Sequence, residues 1–192
     1  MRRTLTLDEF SELLAGYKQS AFRLEQQRQY LISYEQESLA QFLAGTPQAP
    51  EEMPGFTEWT EQIKRQTAAG KQMMRVRIQE EPPTDYQRWE NWIATWNMAA
   101  GELMRRMSRQ RAHEVGLLPA AGKDDFWLLD EQSLIVMSFD RDGTPGTYEL
   151  VDDPEAIKQA CWWRNLAVLH SKPDNPGVPP THSPAIVRQE SM

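Results

Sequence analysis

The sequence has few of the side chains that most often build catalytic or metal centres. Its single cysteine, Cys161, excludes an internal disulfide. Three histidines, at positions 113, 170 and 182, are too few and too scattered to favour a zinc or iron site. No Gly-x-Ser-x-Gly motif and no Gly-rich phosphate loop occurs. We therefore predict no metal and no cofactor, and the sequence identifies no catalytic residue.

Long apolar runs are also lacking, since no stretch approaches the roughly 18 residues that cross a bilayer. The first residues turn polar too early for a secretory signal, so we expect a cytoplasmic protein without membrane contact. A net charge of −7 argues against bulk attraction to nucleic acid. With 192 residues, the chain is expected to form one domain over residues 1–170 and a flexible Pro-rich tail over 171–192.

Helical signals dominate residues 5–69. Thr6 and Glu9 form a capping box, and apolar residues continue at helical spacing to Leu31, which predicts one long helix. Ser33 begins a second predicted helix that ends at Gly45, and a third is expected from Thr57 to Gly70.

Residues 70–170 mix strand and helix signals. Lys71 to Glu80 alternates with period two, and a helix is predicted from Thr84. The span Gly101 to Met107 is ambiguous, and we prefer a short strand. Strands over 126–129, 134–139 and 147–151 form a predicted meander, followed by a helix capped by Asp153. The expected fold is α+β, with N-terminal helices packed on a small mixed sheet and a C-terminal helix.

Basic residues are concentrated in the middle of the chain. From Lys64 to Arg111, ten Lys or Arg residues accompany five acids. We predict that this basic patch binds a partner protein or an anionic small ligand, in a non-catalytic regulatory or accessory role. The predicted ligand-binding residues are Arg75, Arg77, Arg88, Trp92 and Arg105. The alternative is that these arginines pair with the interspersed acids and that the tryptophans belong to the core.

An enzyme of an unfamiliar type, acting in a biosynthetic pathway, is the second hypothesis. Its acid and base groups would be Glu25, Asp85, Glu102 and Asp125, gathered in a cleft. The hypothesis gains if three of these carboxylates and an arginine meet in one pocket.

A series of short motifs resembles a family of small actinobacterial proteins that is catalogued as a domain of unknown function. The similarity covers about residues 7 to 170 and lies in Ala21 to Glu25, Tyr30, Gly70, Met74 to Ile78, Glu81-Pro82, Asp85-Tyr86, Arg88-Trp89, Asn97, Ala100 to Glu102, Arg109, Asp125 to Asp130, Phe139-Asp140, Gly143 and Asp152 to Pro154. Arg23 stands where that family usually carries histidine.

The resemblance implies no particular reaction. It implies a helix-turn-helix regulator as a protein partner, because such proteins are often encoded beside one. Direct DNA binding is disfavoured, since acids at positions 85 and 90 flank Arg88 on its helix. The order of elements is also similar, at a distance, to that of phospholipase D-like folds, but Asp125-Phe-Trp127 stands where their His-x-Lys dyad is expected.

Overall fold

A computed structural model describes residues 1–174, which form one eight-stranded mixed sheet with helices on both faces. Most of the predicted tail, residues 175–192, lies outside the described residues. The four tail residues that are described include Lys172–Pro173, which pair with the edge of the sheet.

Parallel pairing is confined to the centre of the sheet. The strands are β1 (Arg2–Thr4), β2 (Ser20–Glu25), β3 (Gln72–Gln79), β4 (Leu103–Ser108), β5 (Asp125–Leu129), β6 (Ser133–Phe139), β7 (Pro145–Val151) and β8 (Lys172–Pro173). Their order is β1-β7-β6-β5-β2-β3-β4-β8, and only β2, β3 and β4 run parallel to one another. The predicted meander is the antiparallel run β5-β6-β7.

The helices form two layers. They are α1 (Leu7–Gly16), α2 (Gln36–Leu43), α3 (Phe56–Ala68), α4 (Asp85–Ala99), α5 (Arg109–Glu114) and α6 (Pro154–His170). One apolar cluster joins α1 to α4 to one face of the sheet, and a second joins α5 and α6 to the other face.

Alternation along the strands assigns side chains to these two faces. In β2, Phe22 and Leu24 pack in the α5–α6 layer, whereas Arg23 and Glu25 face the α1–α4 layer. The same parity holds in β3, where Val76 and Ile78 are wholly buried on the α5–α6 side. One face is therefore apolar, and the opposite face carries charged groups at its centre.

The predicted long N-terminal helix is wrong, and so residues 5–69 are not all helical. Helix α1 ends at Gly16, and residues 20–25 form the central strand β2. The spacing of Ala21, Leu24 and Leu31 fits a helical face by coincidence, while the period of two in β2 is hidden because its second face is charged. Pairing to β3 and β5, which is non-local, decides the outcome.

Local capping signals predicted three helix starts, whereas α2 and α3 begin at Gln36 and Phe56 without the caps expected from Ser33 and Thr57. Thr6 and Thr84 form capping boxes, and Asp153 caps α6 with Pro154 in its first turn. The ambiguous span is strand β4, as preferred. The α+β class with a mixed sheet and a C-terminal helix is confirmed. Within residues 1–174, no helix combines the length and apolar character needed to cross a bilayer.

Candidate ligand-binding site

A cavity of about 510 Å³, called the pocket below, lies between the charged face of the sheet and the α1–α4 layer. The sheet contributes its floor, and α4 contributes one wall with Trp89, Glu90 and Asn97. Its exposed lining residues, which mark the mouth, are Ser11 on α1, Tyr34, Pro54 and Gly55. This volume is in the range of cavities that hold small organic molecules.

Strand register brings the charged side chains of the floor together. Arg23 is aligned with Arg75, and Glu25 with Arg77, across the parallel β2–β3 pair. On the other side of β2, Arg23 is aligned with Trp127 of β5. Because side chains alternate, these residues all project from the same face of the sheet.

Glu25 is the centre of a buried ion-pair network. Its Oε1 lies 2.7 Å from Arg75 Nη1, and its Oε2 lies 2.8 Å from Arg77 Nε. Arg75 Nε also donates to Glu102 at 2.9 Å, and Arg77 Nη2 lies 3.3 Å from Glu90. All four side chains that join Glu25 in this network are at least nine-tenths buried, so the charges interact with little solvent screening.

Asp125 extends this network beneath Arg23. Its Oδ2 lies 3.6 Å from Arg23 Nη2 and accepts a hydrogen bond from the Tyr30 hydroxyl. The backbone N–H of Gln26 donates to its Oδ1 at 2.9 Å. Burial raises the pKa of Asp125 to about 6, although Arg23 opposes the shift.

Arg23 is the most loosely held of the three network arginines. It lies 3.1 Å from Glu25 and 3.6 Å from Asp125, while its guanidinium lies 5.5 Å from the ring centroid of Trp127. Its side chain is 15% exposed, against 8% for Arg75 and 6% for Arg77. Arg23 is thus the guanidinium most open to a molecule in the pocket.

The carboxyl groups differ in their protonation. Burial disfavours the charge of Glu25, but the neighbouring arginines outweigh it and hold the pKa of Glu25 below its usual range. Burial raises the pKa of Glu90 to about 8, because Arg77 and Arg75 compensate only part of the cost and Glu25 and Glu35 add to it. At the mouth, burial raises the pKa of Glu35 to about 7, even though Glu35 accepts a 2.6 Å hydrogen bond from Tyr86.

Several buried polar atoms of the site have no hydrogen-bond partner among residues 1–174. The donors are Arg23 Nε, Arg77 Nη1 and Trp127 Nε1, and the acceptors are Asn97 Oδ1 and Glu102 Oε2. Such groups are costly in a folded protein unless another molecule pairs with them. Asn97 lines the pocket and is only 6% exposed, which makes it a candidate ligand contact.

Half of the aromatic residues of the chain line the pocket. Phe10 and Tyr148 stack near the mouth with centroids 4.9 Å apart, and Trp59 meets Trp127 edge-on at 6.3 Å. Flat, rigid rings around a charged floor suit a ligand with an apolar body and a polar head.

Two of the five predicted ligand-binding residues, Arg75 and Arg77, line the pocket. Arg88 is exposed on α4 and pairs with Asp85 at 2.7 Å. Arg105 is aligned with Val76, so it faces the α5–α6 layer, where it donates to the carbonyl groups of Val168 and Ser171. The structure therefore does not gather the predicted arginines into one patch.

Trp92 lies outside the pocket and packs against Phe42 and Trp96. Among the predicted acids, Glu25, Glu102 and Asp125 meet in the ion-pair network, whereas Asp85 lies on the surface. Three of the four predicted acids thus share one buried network with the arginines, but only Glu25 among them lines the pocket, so they do not meet in the cleft that the enzyme hypothesis names.

Sequence reasoning missed Arg23, Glu35 and Glu90. Arg23 was assigned to a helix, and Glu90 was considered only as a counter-charge in the basic segment. The alternation Phe22-Arg23-Leu24-Glu25 is the signal that could have revealed a strand with one charged face. Glu90 lies four residues after Tyr86, so it shares the buried face of α4.

The whole fold is similar to solved members of the phospholipase D class. It matches a phospholipase D family member, Nuc from Salmonella typhimurium, with a TM-score of 0.53 and 8% identity over 91% of this chain and 99% of that one. It matches NucT from Helicobacter pylori with a TM-score of 0.51 and 10% identity over the same shares. At such identities the likeness shows the fold alone, and it confirms the phospholipase D-like architecture.

A family model described as Domain of unknown function (DUF6879) matches residues 8–175. The chain belongs to this family. A comparison with curated proteins finds no match to this chain. In its described part, residues 1–174, no three His, Cys, Asp or Glu side chains are placed to hold a metal ion.

Proposed function

We propose that this DUF6879 protein binds a small organic molecule in the pocket. The observation that carries the proposal is a cavity of about 510 Å³ with aromatic walls and a floor of charged side chains, Arg23 among them only partly paired. A structural ion-pair network needs neither an open cavity above it nor unpartnered polar atoms beside it. Both features support a ligand site.

This proposal narrows the earlier prediction of a basic patch. Arg75 and Arg77 remain in the site, but each is bonded to carboxylates, so they act chiefly by holding Glu25 in place. A regulatory or accessory role remains our proposal for the protein as a whole. A helix-turn-helix partner and an actinobacterial origin rest on the sequence resemblance alone.

The test is a small-molecule screen with a variant that closes the mouth. Ser11 is exposed and borders the pocket, so Ser11→Trp obstructs the entrance without disturbing the core. Glu12→Trp places the same side chain at the next exposed position, which does not line the pocket. We expect compounds that raise the melting temperature of the wild type and Glu12→Trp to lose this effect on Ser11→Trp.

Titration calorimetry then gives the affinity of each compound for the three proteins. A screen without any compound sensitive to Ser11→Trp contradicts the proposal. So does binding that Ser11→Trp leaves unchanged.

An enzyme is the second candidate, favoured by the meeting of Glu25, Glu102 and Asp125 with arginines beside the pocket. Glu90 adds a carboxyl group whose pKa near 8 suits proton transfer around neutral pH. For any compound that binds, mass spectrometry after prolonged incubation reports turnover. Glu90→Gln should abolish turnover even at compound concentrations that saturate the variant, and an unchanged rate excludes Glu90 as the acid.

A further inference from the structure

The charges around the pocket are unequal in number. The arginines that line it or contact its floor are three, namely Arg23, Arg75 and Arg77. The carboxyl groups in contact with those arginines or lining the pocket are five, namely Glu25, Glu35, Glu90, Glu102 and Asp125. No lysine or histidine is among the residues that line it in the described chain. The lining itself has three of each, but with Glu102 and Asp125, which contact the arginines from behind it, the site has two more carboxyl groups than guanidiniums.

The shortage is concentrated on the helix side of the pocket. On the floor, Glu25 contacts three guanidiniums, so its charge is well compensated. Glu90 has one ion-pair contact, at 3.3 Å from Arg77. Glu35 has no ion pair with any residue in 1–174 and is held by the Tyr86 hydroxyl alone.

The groups facing Glu35 and Glu90 come from every neighbouring element. From β2 and β3 these are Arg23, Glu25, Arg75 and Arg77, from α4 Tyr86, and from the segment between β2 and α2 Tyr30 and Tyr34. The raised pKa values of Glu35 and Glu90 agree with this geometry, because burial and the other carboxylates act on them together.

A second, independent feature also calls for a hydrogen-bond donor. Asn97 lines the pocket on the same helix as Glu90, and its Oδ1 is buried without a partner among residues 1–174. The unpartnered donors belong to Arg23, Arg77 and Trp127, and both of these guanidiniums already face carboxylates. One unpartnered acceptor, Asn97 Oδ1, thus lies on the helix that carries Glu90, the carboxyl group with a single ion-pair contact.

Aromatic walls strengthen the same preference. The rings of Tyr34, Tyr86 and Trp89 line the pocket on the side of Glu35 and Glu90. The face of an aromatic ring attracts a cation, and the attraction grows when water is excluded.

We infer that the ligand of the pocket is an organic cation, an amine with an apolar body, whose ammonium group lies between Glu35 and Glu90. This inference rests on the proposed function and names its ligand class. It replaces the sequence-based prediction of an anionic ligand. A ligand with a negative charge would approach five carboxyl groups, and the three arginines already pair with carboxylates.

The experiment uses compounds that share one ring system and differ in charge. Tryptamine is the cation, indole-3-acetamide the neutral control, and indole-3-acetate the anion; L-tryptophan carries both charges. The same comparison is made with amines, amides and carboxylates on smaller aromatic and aliphatic frameworks. Among compounds that Ser11→Trp excludes, we expect amines to bind at least about tenfold more tightly than their amides, the effect of one charge-assisted hydrogen bond.

Protonation gives a second readout. A bound ammonium group requires ionised Glu35 and Glu90, which are partly protonated at neutral pH in the free protein. Binding should release protons, and the affinity for amines should rise about tenfold or more from pH 6 to pH 8.5. Calorimetry in buffers of different ionisation enthalpy counts the protons that are released.

Variants locate the ammonium group. Glu35→Gln and Glu90→Gln keep the shape and remove the charge, so each should weaken amine binding about tenfold. Glu37→Gln, an exposed neighbour outside the pocket, is the matched control and should leave binding unchanged.

The outcomes separate the two proposals. If carboxylates, amides or L-tryptophan bind more tightly than the amines and Ser11→Trp abolishes that binding, the pocket is a ligand site but the cation is wrong. If no compound of any charge responds to Ser11→Trp, the proposed function fails as well. Proton uptake on amine binding, or full affinity in both Gln variants, also overturns the inference.

Discussion

The two faces of the central sheet are built from the same strands and differ in almost every physical respect. Towards α5 and α6, Leu24, Val76 and Ile78 are buried in a continuous apolar layer. Towards α1 to α4, their sequence neighbours form charged pairs beside an open cavity. Burial of apolar side chains stabilises a fold without a cost for removing charges from water. A buried ionic face adds little net stability, because that desolvation cost offsets the attraction between the charges. The contrast supports our proposal that the charged face serves to bind a ligand.

The largest effect should come from breaking the charged face at its centre. Glu25→Gln leaves three buried arginines short of a counter-charge, so we expect about 4 kcal/mol of destabilisation in urea unfolding at neutral pH. The pKa of Glu25 is lowered in the fold, so its contribution is complete above about pH 4.3 and is lost as the pH falls further. The cost of the substitution should therefore shrink in acid. A cost that does not change down to about pH 3 contradicts this account.

The adjacent residue breaks the apolar face instead. Leu24 is fully buried, so Leu24→Ala should cost about 3 kcal/mol through lost packing and a residual cavity. Because Leu24 packs in an apolar layer, the cost of removing its side chain should stay constant with pH in the same urea experiments. Ligand affinity should also be unchanged, and a marked loss of affinity would show that the two faces are coupled.

The pH dependence of stability distinguishes Glu90, on the helix side of the pocket, from Glu25 on its floor. Glu90 has a pKa of about 8 in the fold and about 4.3 in an unfolded chain. Between these values the folded state holds the extra proton, so the free energy of unfolding falls as the pH rises. Glu90→Gln should flatten this decline by up to about 4 kcal/mol, the limit that these two pKa values set between pH 5 and pH 8.5. Denaturation curves at both pH values test it, with Glu37→Gln as the control that keeps the decline; parallel curves for Glu90→Gln and wild type refute it.

The smallest effect is expected at the surface pair on α4. Arg88 and Asp85 form an exposed ion pair three residues apart, so Arg88→Ala should change stability by less than about 0.5 kcal/mol. Ligand affinity should not change, because Arg88 does not line the pocket. A clear loss of affinity would restore Arg88 to the binding site that the sequence predicted.

Much of the fold was predictable because its signals are local. The Thr84 capping box, the Asp153-Pro154 helix start and the period-two run before Glu80 each depend on a few neighbouring residues. Strand β2 was not predictable in this way, because its charged residues are buried only once β3, β5 and α4 surround them. A glutamate in a strand normally predicts a solvent-exposed position. Glu25 is buried because Arg23, Arg75 and Arg77 pair with its charge.

The candidate site was predictable in part. Arg75, Arg77 and Glu25, all named from the sequence, line the pocket, whereas Arg88 and Arg105, grouped with them by nearness in sequence, lie elsewhere. Successive side chains of a strand point to opposite faces of the sheet. In β4, Arg106 is aligned with Arg77 on the pocket side, so Arg105 projects from the other face.

The sequence by itself determined the order and ends of most helices and strands, the mixed α+β class, and the absence of the His-x-Lys dyad at Asp125-Phe-Trp127. Those properties follow from backbone preferences over a few residues. Only the tertiary structure decided that Arg23, Glu25 and Glu90 share one buried network, and that five carboxyl groups and three arginines gather in and behind the pocket. The sign and strength of a buried charge depend on neighbours brought together by the sheet register, which are distant along the chain.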